Sequence, residues 1–281
     1  MKFHSIHSGF FKLDGGAMFG VVPKSIWKKL NPPDDNNLCT WALRCLLVEH
    51  ENRKILIDTG MGNKQSEKFF SYYEPHGEFT LENSLKEKGL LPEDITDVFL
   101  THLHFDHCGG AIKYNEQKEL VPAFPNATYW SNQKHWEWAT DPNAREKASF
   151  LKENILPIQE SAKLKFIDTT DEIELFPGFK IYFVFGHTEA MMIPHIEYKG
   201  RTIVYLADLL PSVGHIPLPY VMACDTRPLI TLKEKNEFLK RAVDNNYILF
   251  FEHDKANECC TLKRSEDNKI VVDQTFNLSN I

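Results

Sequence analysis

The residues best suited to do chemistry lie in one short run, Thr101 to Gly110, which reads THLHFDHCGG. His102, His104, Asp106 and His107 fall within six residues, directly after the apolar run Asp97-Val98-Phe99-Leu100. In an extended segment side chains alternate, so His102 and His104 point the same way. Asp106 and His107 then sit where the chain turns, and Cys108-Gly109-Gly110 lets it turn sharply. Three imidazoles and a carboxylate are donors for a borderline divalent cation. They are too many for one catalytic site, which takes three protein ligands and keeps a position open. Two cations are the natural reading, with later segments completing both coordination spheres.

Three later segments place a polar donor directly after an apolar run. Gly186-His187-Thr188 follows IYFVF, Ala207-Asp208 follows TIVYL, and Glu252-His253-Asp254 follows YILFF. Each alone reads as an ordinary polar strand end. Repeated beside the first cluster, the arrangement reads as a set of ligands. His4, His7, His50, His76 and His135 have no ligating spacing, and His195 and His215 stay open. The six cysteines form no C-x-x-C pair and are too sparse for a disulfide scaffold, so they read as buried thiols in a reducing compartment. Cys108 reads as a structural thiol rather than a nucleophile.

The elements that must position these donors are strands. Trp41 to Val48 and Lys54 to Ile57 read as a hairpin turning at Asn52-Arg53. Leu81 to Lys88 reads as a helix ended by Gly89. Asn132 to Glu153 reads as helical, within a region 111–165 distinguished by Trp130, Trp136 and Trp138. Strands are expected at Leu164 to Ile167, Glu172 to Leu175, Lys180 to Phe185, His195 to Tyr198, Thr202 to Leu206 and Tyr247 to Phe251, with a helix from Leu232 to Val243. Two β-rich halves with helices suggest two sheets packed face to face with helices outside. The chain of 281 residues, 42% hydrophobic and 25% charged, is ordinary globular composition. Its net charge of −7, without a Lys/Arg run, argues against a nucleic-acid partner. No apolar run approaches membrane-spanning length and the N-terminus lacks a signal-peptide core, so a cytoplasmic protein without a membrane partner is expected.

THLHFDH, Gly186-His187-Thr188, Ala207-Asp208, the late His253, and Asp58 within LIDTG together resemble the five-motif pattern of the metallo-β-lactamase fold superfamily, over Trp41 to His253. The resemblance implies an α/β (α+β) fold, a four-layer αββα sandwich of two mixed sheets flanked by helices. It implies a single hydrolase domain over 1–281, with 111–165 as a helical insert near the active-site edge. It assigns His102, His104 and His187 to one metal and Asp106, His107 and His253 to the other. Asp208 would bridge them, and Asp58 would orient a ligand imidazole. The cofactor implied is a pair of divalent ions, zinc first, with Fe, Mn or Co also compatible. Within the superfamily the chain resembles the quorum-quenching N-acyl homoserine lactonases and the methyl parathion hydrolases. The features are LDGGAMFGVVPK at the N-terminus, Phe105 inside HLHFDH, and the stretch from Ala207 to Pro228. It departs from them after His187-Thr188, where Glu189-Ala190-Met191 replaces a Gly-His pair. It departs again at Pro211, where some lactonases carry an oxyanion-binding Tyr; His215 and Tyr220 are candidates to replace it.

The implied reaction is attack of a metal-bridging hydroxide on a lactone carbonyl, with Asp106 passing a proton to the leaving alkoxide. Met18, Phe19, Val21 and Val22 read either as a mobile flap over an acyl chain or as a plug of the sandwich edge. Phe69, Phe70, Tyr72 and Tyr73 carry the same ambiguity, and the three tryptophans read as packing. The partner expected is a small molecule with an apolar portion, and the family hints at a homodimer. Phosphotriesterase and glyoxalase II-like thioester hydrolase are the alternative activities. A redox or non-catalytic metal binder is the alternative of another class. Flavodiiron proteins share the fold, but they carry Glu at the place of His104 and a flavin domain for which this chain has no room.

Overall fold

The computed structural model describes residues 1–169 and 172–281. The chain divides into two compact units, Met1–Gly9 with Leu43–Thr170, and Phe10–Ala42 with Asp171–Ile281.

The first is built on a six-stranded sheet in the order β1-β2-β3-β4-β7-β8. These strands are β1 (Lys2–Asp14), β2 (Leu38–His50), β3 (Arg53–Ile57), β4 (Asp97–Phe99), β7 (Thr128–Asn132) and β8 (Leu164–Ile167). A separate small hairpin joins β5 (Ile112–Tyr114) to β6 (Leu120–Pro122). β2 and β3 form the expected antiparallel hairpin, with Glu51 at φ 53 in its turn. β3, β4, β7 and β8 then run parallel. Parallel strands covered on both faces need apolar side chains throughout. Accordingly Leu56, Val98, Leu100, Leu103 and Tyr129 are all at 0% exposure in one core. The helix Leu81–Glu87 starts where Thr80 accepts the N–H of Asn83, and Gly89 follows at φ 73, as expected.

The stretch Asn132 to Glu153, read as helical, holds the helix Gln133–Thr140 and only the start of the next, Lys152–Glu160. The residue before a proline is driven out of the helical region. Asp141, before Pro142, has φ −125 and ψ 64, and the first helix stops there. Trp136 and Trp138 pack on the core, as read.

The second unit holds a seven-stranded sheet in the order β15-β14-β13-β12-β11-β10-β9. Its strands are β9 (Ile173–Phe176), β10 (Phe179–Val184), β11 (Met191–Tyr198), β12 (Arg201–Tyr205), β13 (Ile248–Phe250), β14 (Cys259–Arg264) and β15 (Ile270–Phe276). All pairs are antiparallel except β12 with β13. A parallel pair needs a long crossover, and the helix Pro228–Asp244 supplies it.

The Gly-rich segment after β1 is a short helix, Gly15–Phe19, rather than a loop. Asp14 caps it by accepting the N–H of Ala17 at 2.9 Å. Its glycines serve close approach: a Cβ at Gly15 would enter the ring of Trp27, and one at Gly20, which sits at φ 57, would strike the carbonyl of Val221. Among the described residues, no helix is long and apolar enough to cross a membrane.

Candidate metal-binding site

In the first unit, β4 delivers the chain into the ligand run. His104 is still extended, at φ −64 and ψ 152, and caps the single-turn helix Phe105–Cys108. The sharp turn rests on glycine, since a Cβ at Gly109 would collide with the backbone of Met61. His102, His104, Asp106 and His107 are all buried. Asp58, at φ 57, holds the cluster from behind. Its carboxylate accepts the Thr101 N–H at 2.8 Å and hydroxyl at 2.7 Å, and lies 3.1 Å from Nδ1 of His107.

For neutral imidazoles, counting protons along this chain of contacts gives one tautomer each. The Thr101 hydroxyl donates to Asp58, so it accepts from Nδ1 of His102 at 3.1 Å. That leaves a lone pair on Nε2 of His102. His107 donates from Nδ1 to Asp58, which leaves its Nε2 as a lone pair too, 3.9 Å from Asp106 Oδ2. Nε2 of His102 lies 3.1 Å from Nδ1 of His104. Two nitrogens on one tetrahedral zinc, each about 2.05 Å from it, would lie about 3.3 Å apart. The pair has the spacing of an edge of such a site.

In the second unit the donors also end strands. His187 follows β10, Asp208 lies in a tight turn after β12, and His253 follows β13. Asp208 Oδ2 is 3.1 Å from Nε2 of His187, and its Oδ1 is 3.2 Å from Nε2 of His253. Each imidazole is fixed from its other side: His187 Nδ1 lies 2.8 Å from Asp225, and His253 Nδ1 donates to the Ala42 carbonyl at 2.8 Å. Burial opposes charging of His187, but Asp208 and Asp225 outweigh it and push it up to about 10. The same two carboxylates that hold a proton there would hold a cation. Ala207, at φ 42, turns the backbone so that Asp208 is presented. Left-handed conformations at residues with a Cβ are strained and concentrate at functional sites.

Thus the first unit brings His102 against His104 and His107 toward Asp106, with Asp58 behind His107, and the second gathers His187 and His253 around Asp208. Imidazoles facing carboxylates fit a divalent cation such as Zn, Fe, Mn or Co, which would take the place of the imidazole proton. Asp225 lies 17 residues after Asp208, inside the stretch Ala207 to Pro228 but where no strand marks which side chain faces a donor.

The other named residues sort differently. Phe19 is fully buried, stacked between Trp27 (5.4 Å) and His215 (4.5 Å), with the Tyr220 ring edge-on at 6.4 Å. Met18 and Val22 are buried as well, whereas Val21 is 92% exposed. His215 donates from Nε2 to the Met18 carbonyl and accepts from Ser212, both at 2.8 Å. Burial pushes it down to about 3, so it is a neutral strut. His195 lies under the Pro228–Asp244 helix among Tyr182, Tyr247 and Phe238. His135 is buried and accepts the Leu103 N–H at 2.8 Å. Burial pushes the Cys108 thiol up to about 12, the state of a structural cysteine. Phe105 is flanked by the rings of Tyr73 at 4.5 Å and Phe69 at 5.2 Å, an aromatic wall against the ligand run.

The chain is similar to proteins of known family and structure. The family model of the metallo-beta-lactamase superfamily matches residues 44–253. An N-acyl homoserine lactonase of Bacillus cereus is 27% identical over 247 residues, 83% of this chain and 88% of the relative. Another from Bacillus sp. is 30% identical over the same shares. A crystal structure of a probable metal-dependent hydrolase from Staphylococcus aureus superposes with a TM-score of 0.87 at 29% identity, covering 98% of both chains. AidC, a dizinc quorum-quenching lactonase, shares the fold with a TM-score of 0.76 at 24% identity, covering 98% of this chain and 95% of its own. A family match over most of its length places this chain in the metallo-beta-lactamase superfamily of hydrolases.

Proposed function

We propose that the protein is a dinuclear metal-dependent lactonase, with an N-acyl homoserine lactone as its type of substrate. The observation that carries this is Asp208, whose two oxygens face one imidazole each, as a carboxylate shared by two cations must. His102, His104 and His187 would hold one cation, Asp106, His107 and His253 the other, and Asp208 both. When bound, such ions supply Lewis acidity toward a carbonyl and a water nucleophile at neutral pH. The chain's own part is to orient and exclude. Asp58 and Asp225 fix the imidazoles, and Asp106 would take the proton released by the attacking water and pass it to the leaving alkoxide. The wall of Phe69, Tyr73 and Phe105 offers apolar surface to an acyl chain. Burial and Asp106 push the Tyr73 phenol up to about 12, so it remains a hydrogen-bond donor at neutral pH. The two units act as one catalytic domain in this reading. All six cysteines are free thiols, in keeping with a reducing, cytoplasmic setting.

The test is hydrolysis of N-decanoyl homoserine lactone, paraoxon and S-lactoylglutathione side by side, on protein of measured metal content. The lactone is expected to turn over fastest. An untouched lactone with rapid turnover of either other substrate contradicts the assignment.

A further inference from the structure

We infer that Glu146 is a positioning residue for His104, selecting the imidazole tautomer that can bind a cation. The inference rests on the reading of His104 as a ligand. Glu146 lies between the helices Gln133–Thr140 and Lys152–Glu160 and is 3% exposed. A buried carboxylate is costly unless its oxygens are partnered. Oε2 accepts the Trp138 indole N–H at 2.7 Å and an Asn143 amide N–H at 2.6 Å. Those neutral donors fix the carboxylate in place, and its other oxygen, Oε1, then lies 3.5 Å from Nε2 of His104.

The proton count gives this contact its consequence. A neutral imidazole carries one N–H. With Nε2 of His104 facing a carboxylate, the proton belongs on Nε2, and Nδ1 keeps its lone pair. Nδ1 faces Nε2 of His102 at 3.1 Å, and that nitrogen is already a lone pair because of Thr101. Two facing lone pairs repel each other and attract a cation. Without Glu146, His104 can move its proton to Nδ1 and donate to His102. The two imidazoles would then satisfy each other, and both lone pairs would be lost to the metal. Glu146 thus stands behind His104 at 3.5 Å, a longer contact than that of Asp58 with His107 at 3.1 Å or of Asp225 with His187 at 2.8 Å, in the place that carboxylates behind ligand histidines generally take.

The surrounding contacts brace the same loop. Phe105 N–H donates to the Ser149 carbonyl at 2.9 Å, Leu103 N–H donates to His135 at 2.8 Å, and the Phe150 ring lies 4.8 Å from that of His104. The region 111–165 is therefore a frame for the ligand run and not only a packing layer.

The test compares Glu146→Gln, Glu146→Ala and His104→Ala by zinc affinity, read from chelator competition on metal-free protein with stoichiometry by mass spectrometry. Both Glu146 variants are expected to weaken one of the two zinc ions about 10- to 100-fold, and His104→Ala to lose it. The glutamine is isosteric, but the amide it turns toward His104 is a donor, which favours the wrong tautomer. If His104→Ala loses an ion while both Glu146 variants bind like the wild type, the inference is overturned and the ligand reading stands. If His104→Ala keeps both ions, the ligand reading fails and takes the inference with it. Should the variants not fold, long-range 1H–15N correlation spectra of the metal-free wild type decide. An Nε2–H His104 supports the inference, and an Nδ1–H His104 overturns it.

Discussion

Asp225 Oδ1 lies 2.8 Å from Nδ1 of His187, and both side chains are buried. The contact fixes Nε2 of His187 toward Asp208. Asp225→Ala removes that support without removing a donor to the metal. It is expected to lower zinc affinity about 10- to 100-fold while leaving the secondary structure unchanged. Chelator competition and circular dichroism on the same sample check both halves.

Burial pushes His195 down to about 3, from an ordinary value of 6.5. Between those values the unfolded chain binds a proton that the folded chain refuses. Stability therefore falls as pH drops from 6.5 toward 3, by about 1.4 kcal/mol per pH unit for this one group. His195→Phe, which suits the aromatic surroundings, should flatten the acid limb by about that slope. Urea unfolding of metal-free protein across this pH range measures it. An unchanged slope contradicts the packing described.

Lys235 is 1% exposed and donates to the carbonyls of Pro217 and Tyr220, each at 2.8 Å. Lys235→Met keeps the apolar stem but orphans both carbonyls. It is expected to cost about 1–3 kcal/mol, read as a lower urea midpoint. Hydrogen exchange should rise in 217–223, the segment whose Ala223 N–H donates to the Ala17 carbonyl.

Phe105→Ala removes the ring that Phe69 and Tyr73 pack against. On the lactonase reading, kcat/KM should fall more for long-chain than for short-chain lactones, since each buried methylene is worth about 0.8 kcal/mol. Equal losses for N-butanoyl and N-decanoyl homoserine lactone would remove the wall from the binding site.

The ligand run was legible because chemistry and topology mark it together. His102, His104, Asp106 and His107 are dense in polar donors, and apolar β4 precedes them. The strand-then-donor pattern also singles out His187, Asp208 and His253, each of which follows a strand. The carboxylates behind the histidines were not legible, apart from Asp58 through its motif. Asp225 and Glu146 lie in irregular segments, where no periodicity signals which way a side chain faces. In the fold, β1 and the β14–β15 hairpin were missed. Their burial is mixed, and β15 is only partly buried, so they lack the continuous apolar run that marked β13. The helical reading of 132–153 runs across Asp141-Pro142, where the residue before proline leaves the helical region.

The most direct test of the central claim is the metal stoichiometry of the wild type against Asp208→Ala, measured with lactone hydrolysis on the same samples. Asp208 is the one donor assigned to both cations. The wild type should hold two equivalents of divalent metal and hydrolyse the lactone, and the folded variant should lose metal and activity together. A variant that keeps two equivalents and full activity contradicts the account.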